Sequence, residues 1–171
     1  TLGADTVLKG STVSLLRGAD GAHALNIAGN AVINGALGAN NRLASLAIGG
    51  HAELGGGAIN TVGAQSYQGQ VTLTDGLDIT TANGNVGFSG TVAGAGKQLT
   101  IDAGNGNVAF SGAVGAAAAR LGDITVNSNG ATALDGAVYA ASVTTNAGGS
   151  LAINGGRVDT TGTQSYGELA T

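Results

Sequence analysis

One short pattern recurs along the chain and limits what it can become: Phe, Leu or Ile, then any residue, then Gly, in all but one instance preceded by a small or apolar residue. It occurs as Val32-Ile33-Asn34-Gly35, Glu53-Leu54-Gly55-Gly56, Gly87-Phe88-Ser89-Gly90, Ala109-Phe110-Ser111-Gly112, Ala133-Leu134-Asp135-Gly136 and Ala152-Ile153-Asn154-Gly155. The marker glycines stand 21, 34, 22, 24 and 19 residues apart. Four of these steps lie near 21, and the step of 34, which holds Gln65-Ser66-Tyr67, reads as a coil with an extra excursion. Between markers, short alternating stretches such as Leu25-Asn26-Ile27, Val71-Thr72-Leu73, Leu99-Thr100-Ile101 and Ile124-Thr125-Val126 place aliphatic side chains on one face of a strand. Many short strands leave a sandwich, an antiparallel barrel or a β-solenoid, and a true repeat selects the solenoid.

Helices are poorly supported. Gly interrupts every amphipathic window, at about 1 kcal/mol each relative to Ala, and the best Ala run, Ala116 to Ala119, is four residues long. Turn signals such as Ala82-Asn83-Gly84 and Asn127-Ser128-Asn129-Gly130 fall between the strands instead. The 171 residues hold 33 Gly, two Phe, three Tyr and no Trp, Met, Pro or Cys. A core of small aliphatic side chains suits thin stacked layers, and without Cys it has to hold by packing and backbone hydrogen bonds.

A longer period overlies the short one. Leu25-Asn26-Ile27 matches Leu99-Thr100-Ile101 at offset 74, Ile33-Asn34-Gly35 matches Phe110-Ser111-Gly112 at 77, and Thr61-Val62-Gly63-Ala64-Gln65-Ser66-Tyr67 matches Thr160-Thr161-Gly162-Thr163-Gln164-Ser165-Tyr166 at 99. The late jump reads as one whole coil, 129–149, inserted into the second of two units, about 1–71 and 72–171. Insertion of a full rung is tolerated where each rung packs only on its neighbours, whereas a sandwich would lose register. The expectation is an all-β, right-handed parallel β-helix of about seven to eight coils of roughly 20 residues, forming one segment over 1–171. Thr1 and Thr72 share a phase of the long period, as in a window cut from a longer tandem array. Phe88 and Phe110 should stack inside, and Asn85 and Asn107 should form turn ladders.

Charge is sparse, with six basic and ten acidic residues and a net charge of −4. Lys9, Arg17, Arg42, Lys97, Arg120 and Arg157 are scattered, which argues against nucleic acid as a partner. No apolar run is long enough to span a bilayer. His23 and His51 stand alone in sequence; Asp75 and Asp78 raise a glycosidase-type pair, but the matching stretch near Asp5 does not keep it. Asp102 to Asn107 has neither the Gly-Gly-X-Gly-X-Asp repeat nor the bidentate Glu of a calcium loop. Ser14, Ser45 and Ser66 have no nucleophile elbow. The Thr-Thr pairs at 80–81, 144–145 and 160–161 lack the Thr-X-Thr spacing of an ice-binding face, and strand propensity accounts for them. No catalytic residue, cofactor or metal is expected.

The Thr-X-Gly-X-Gln-Ser-Tyr segments, the opening Thr1-Leu2-Gly3-Ala4-Asp5-Thr6 and the Gly/Asn-rich Phe-Ser-Gly rungs resemble the repeat regions of filamentous-haemagglutinin-type bacterial exoproteins, over essentially the whole chain. That resemblance implies a right-handed parallel β-helix exported by a two-partner or autotransporter route, located at the cell surface, and working as a stalk in adhesion or biofilm formation. Its partners would be neighbouring repeats of the same chain, with extracellular polysaccharide or host glycan as further candidates. Carbohydrate binding by the β-helix surface is the second reading, and a polysaccharide lyase or hydrolase the third. Tyr67 and Tyr166 are the candidate ligand contacts, as aromatics that could stack on a sugar from the long coils. The opposing reading packs each as a local plug with its hydroxyl satisfied.

Overall fold

The computed structural model describes residues 1–170. In chain order the strands are β1 (Thr6–Leu8), β2 (Thr12–Leu15), β3 (Ala24–Ile27), β4 (Asn30–Ile33), β5 (Ser45–Ile48), β6 (Ala52–Leu54) and β7 (Ala58–Asn60). They continue as β8 (Gln65–Tyr67), β9 (Val71–Leu73), β10 (Leu77–Thr80), β11 (Val86–Phe88), β12 (Val92–Ala93), β13 (Leu99–Gly104) and β14 (Val108–Phe110). The last six are β15 (Leu121–Ser128), β16 (Ala131–Leu134), β17 (Val138–Thr145), β18 (Ser150–Ile153), β19 (Val158–Thr160) and β20 (Gln164–Tyr166). Every paired strand runs parallel to its partner, and the described residues contain no helix. The described residues form a β-solenoid of about eight rungs.

Three sheets make its sides. The first stacks β1, β3, β5, β8, β11, β14, β16 and β18; the second stacks β2, β4, β6, β9 and β12; the third stacks β7, β10, β13, β15 and β17, with β19 and β20 both on β17. Inward residues of the first sheet line up as Leu8, Ile27, Ile48, Tyr67, Phe88, Phe110, Leu134 and Ile153. The shortest step along this column is 19 residues, as from Leu8 to Ile27, and the longest is 24, from Phe110 to Leu134. Alternation therefore does what period two requires: Leu25, Ile27, Val86, Phe88, Val108 and Phe110 are buried, and the residues between them face out. Phe88 and Phe110 stack at 5.0 Å between centroids and 4° between planes, as expected, and Tyr67 extends the stack at 4.9 Å and 7°.

The marker glycines turn corners. At the corner that leaves the first sheet, a glycine recurs in equivalent place on every rung: Gly10, Gly29, Gly50, Gly69, Gly90, Gly112, Gly136 and Gly155. From Gly29 onward, a Cβ on any of these would run into the backbone around the glycine one rung earlier. Close approach of successive rungs, and not positive φ, is what selects glycine there. Gly35 and Gly56 belong to a different corner, beyond the second sheet, where each meets backbone at Arg17–Gly18 and Gly35 respectively.

This corrects the coil of 34 residues. Leu54 and Phe88 carry the same local template, but Leu54 pairs Ile33 and Leu73 in the second sheet whereas Phe88 pairs Tyr67 and Phe110 in the first. The marker changes side, and the chain between is of ordinary rung length. Likewise Leu25 lies in the first sheet and its long-period match Leu99 in the third. The two Gln-Ser-Tyr strands differ in the same way: β8 lies between β5 and β11, while β20 pairs β17, with Gln164 opposite Val143 and Tyr166 opposite Thr145.

The second and third sides merge toward the later rungs. Val92 pairs Val114 and Val114 pairs Val138, so β17 begins in line with the second sheet, then pairs β15 at Ile124 to Val126 in the third. An eight-residue strand here runs through a corner that earlier rungs turn with loops. Asparagine ladders close another corner. The backbone N–H of Asn107 donates to Asn85 Oδ1 at 2.9 Å, and that of Ala131 to Asn107 Oδ1 at 2.8 Å. The expected pair thus bonds side chain to the next rung's backbone, satisfying an N–H on each of two successive rungs.

Candidate functional site

Gln65-Ser66-Tyr67 builds a closed polar network inside the core. Tyr67 is 0% exposed and Gln65 1%. The Tyr67 hydroxyl donates to Gln65 Oε1 at 2.8 Å, and Gln65 Nε2 donates to the carbonyls of Ile59 and Thr80 at 3.2 and 3.3 Å and to Thr61 Oγ1 at 3.2 Å. Thr61 Oγ1 in turn donates to the Gly63 carbonyl at 2.6 Å. Burial pushes the Tyr67 phenol far up, so it stays a proton donor. Tyr67 is therefore a plug with its hydroxyl satisfied, and the expectation that it contacts a ligand is corrected. Tyr166 repeats the local bonds, with its hydroxyl on Gln164 Oε1 at 2.9 Å and Gln164 Nε2 on the Val158 carbonyl and Thr160 Oγ1, but its side chain is only part-buried. The Thr-X-Gly-X-Gln-Ser-Tyr segment is thus a portable corner, used once to enter the first sheet and once the third.

Replacing Gln65 by Leu is expected to cost about 1–3 kcal/mol, because the Tyr67 hydroxyl and two buried carbonyls lose their partner. Gln164→Leu, at an exposed copy of the same corner, should cost well under half as much. Urea denaturation of both variants measures the difference, and equal losses would contradict the burial argument.

The other residues singled out from sequence do not converge. His23 Nδ1 lies 3.6 Å from Asp5 and His51 Nε2 3.7 Å from Glu53, each at a separate surface corner. Among the described residues no three His, Cys, Asp or Glu side chains gather as a metal site. Asp78 faces out of β10 opposite Ala58 and Thr100, whereas Asp75 lines a groove. Asp102 faces out beside Asn127, and Ser66 faces out between Ala47 and Gly87. The Thr pairs have a use that strand propensity does not explain: Thr81 is buried and its hydroxyl donates to the Gly84 carbonyl at 2.7 Å, while Thr145 is buried and bonds Glu168 at 2.6 Å.

Sequence reading missed two groupings. In the first, three rungs are clamped together at Tyr139: Arg120 Nη2 lies 2.9 Å from Asp159 Oδ1, Arg157 Nη2 lies 2.6 Å from Asp159 Oδ2, and both guanidiniums sit 5.6 Å from the Tyr139 ring centroid. Arg120 also donates to the Asp159 carbonyl at 2.6 Å. Only the rung alignment reveals this, since Arg120 and Asp159 are 39 residues apart. The second is the groove, lined by Asp75, Gly76, Gly96, Lys97, Gln98, Gly122, Asp123 and Ala141.

The hydrogen bond from Arg157, assisted by Arg120, holds the Asp159 carboxyl below the usual aspartate range. Backbone and side-chain N–H groups of Asn40, with the Asn41 N–H, do the same for Asp20. A carboxyl whose pKa is lower folded than unfolded stabilises the fold above its unfolded value and loses that contribution as pH falls through both. Melting temperature should therefore decline below about pH 4, and the decline should be shallower in the Asp20→Asn/Asp159→Asn double variant. Thermal melts across pH test this, and identical acid limbs would refute it.

No protein-family model, curated protein or solved structure matches the chain.

Proposed function

We propose that this chain is a stalk segment of a large secreted bacterial surface adhesin, whose work is to be a long, stiff rod. The observation that carries the reading is the pairing pattern: every sheet strand bonds only to the strands one rung before and after it. Stability then adds rung by rung and the object extends without redesign of its core. Eight rungs at about 4.8 Å spacing span roughly 34 Å from first to last, and further rungs of the same chain would be the natural partners. Extended, evenly packed rods hold binding regions away from a cell envelope, which is the use that the resemblance to filamentous exoproteins also implies.

Immunogold labelling of intact cells of the encoding organism, with antibody raised against this segment, tests the location and shape together. The expected result is surface label on thin projections. Label confined to the cytoplasm would overturn the reading, whatever the fold.

A further inference from the structure

The groove at the merging corner has the makings of a site. The inward residues Leu77, Leu99, Ile124 and Val143 stack in register. The residues just before them, Gly76, Gln98, Asp123 and Ser142, and before those Asp75, Lys97, Gly122 and Ala141, form the outer surface of the same four rungs. Glycine at 76, 96 and 122 leaves an open surface hollow of about 400 Å³. The hollow is held by backbone bonds: Gly122 N–H donates to the Lys97 carbonyl and Gly96 N–H to the Arg120 carbonyl, both at 2.8 Å. A Cβ at Gly122 would come within 2.9 Å of the Gly96 carbonyl oxygen, so the floor at that point is bare backbone by necessity.

Around this floor stand groups with unused capacity. Lys97 makes no ion pair among the described residues, although two carboxylates line the same groove. Among the described residues Asp75 Oδ1 accepts only the N–H of Gly76 at 2.8 Å, and Asp123 Oδ1 accepts the Ser142 hydroxyl at 2.6 Å, which fixes its side chain. Gln98 adds an amide with both a donor and an acceptor.

We propose that this groove binds a neutral saccharide. Two carboxylates against one ammonium disfavour an anionic ligand, and the ammonium in their midst disfavours a cation. Two carboxylates alone do not make a divalent-cation site, and apart from Ala141 the lining offers no apolar wall for a hydrophobic ligand. Sugar hydroxyls satisfy what remains, since each can donate to Asp75 or Asp123 and accept from Lys97, through charge-assisted bonds, while the glycines leave room for the ring to approach the backbone. The site is independent of the rod reading, because it needs only these four rungs to be folded.

The test is calorimetric or saturation-transfer NMR titration of the whole chain with cellohexaose, maltohexaose and mannohexaose, with oligogalacturonate as an anionic comparison. Saturable binding of a neutral oligosaccharide is expected, weakened at least about tenfold in Lys97→Ala and in Asp123→Asn, and unchanged in Arg157→Ala outside the groove. Asp123→Asn keeps an acceptor for Ser142, and circular dichroism checks that each variant is folded. Absence of saturable binding to all three, equal affinity in folded groove variants, or preference for oligogalacturonate would each overturn the proposal.

Discussion

Phe110→Asp should abolish the folded rod. The ring is 1% exposed and stacked on Phe88 at 5.0 Å, at the end of the aromatic column. Removing a buried Phe costs about 3–5 kcal/mol, and a carboxylate placed among Phe88, Leu134 and Val114 adds an unpaired buried charge worth several more. Together these rival the roughly 5–15 kcal/mol that holds a whole domain. Phe110→Leu is the informative companion. The same column carries Leu134 in the next rung, so Leu fits the register and should forfeit little more than the ring stacking, about 0.5–1.5 kcal/mol, plus a modest packing loss. Lys97→Ala, on the surface, should fall within about 0.5 kcal/mol of the parent. Urea midpoints and soluble yield report all three. A Phe110→Asp protein as stable as Phe110→Leu would mean that the column does not form the dry interior of the stack.

What could be read from the chain alone was the geometry that repeats on every rung. Period two placed Phe88 and Phe110 inside, and the Asn85 and Asn107 spacing placed them one above the other, because both signals are local and recur after a whole turn. What could not be read was which side of the solenoid a segment occupies. An inward apolar residue followed by a corner glycine is the same physical solution at more than one corner, so Leu54 and Phe88 look equivalent while facing different sheets. The Gln-Ser-Tyr copies mislead for the same reason: an identical corner, with the hydroxyl on Gln and Gln on Thr, serves two positions in the winding. Tyr67 was legible as a plug only through its partners, since nothing local distinguishes an aromatic that faces a core from one that faces a ligand. Groupings assembled across rungs had no linear signal. Gln98 and Asp123 come together because β13 and β15 pair with Leu99 opposite Ile124, and the irregular corner at 115–120 lies between them in sequence.

The second large effect concerns two glycines that composition treats alike. Gly112→Val should be strongly destabilising, whereas Gly87→Val should be neutral or stabilising. At Gly112 a Cβ would sit 2.5 Å from the Gly90 carbonyl oxygen and 2.8 Å from the Thr91 nitrogen. Those are backbone atoms of the rung before, which cannot swing aside as a flexible side chain would, so the rungs must separate or the corner must open. Opening it shifts Val114, which pairs with both Val92 and Val138, and the strain therefore reaches three rungs. Overpacking of side chains alone costs about 1–3 kcal/mol; a clash with rigid backbone belongs at or above the top of that range. Gly87 faces out of β11, a Cβ there meets nothing within 4 Å, and its register partners are Ser66 and Ala109. Giving that position a β-branched side chain removes unfolded-state freedom, worth about 0.5–1 kcal/mol against Gly, without a Cβ clash. The same chemical change should thus lower the urea midpoint strongly at one residue and leave it unchanged or raised at another 25 positions away. Equal losses at both sites would mean that glycine serves chain flexibility throughout, and that the corner ladder is not what sets the spacing of the rungs.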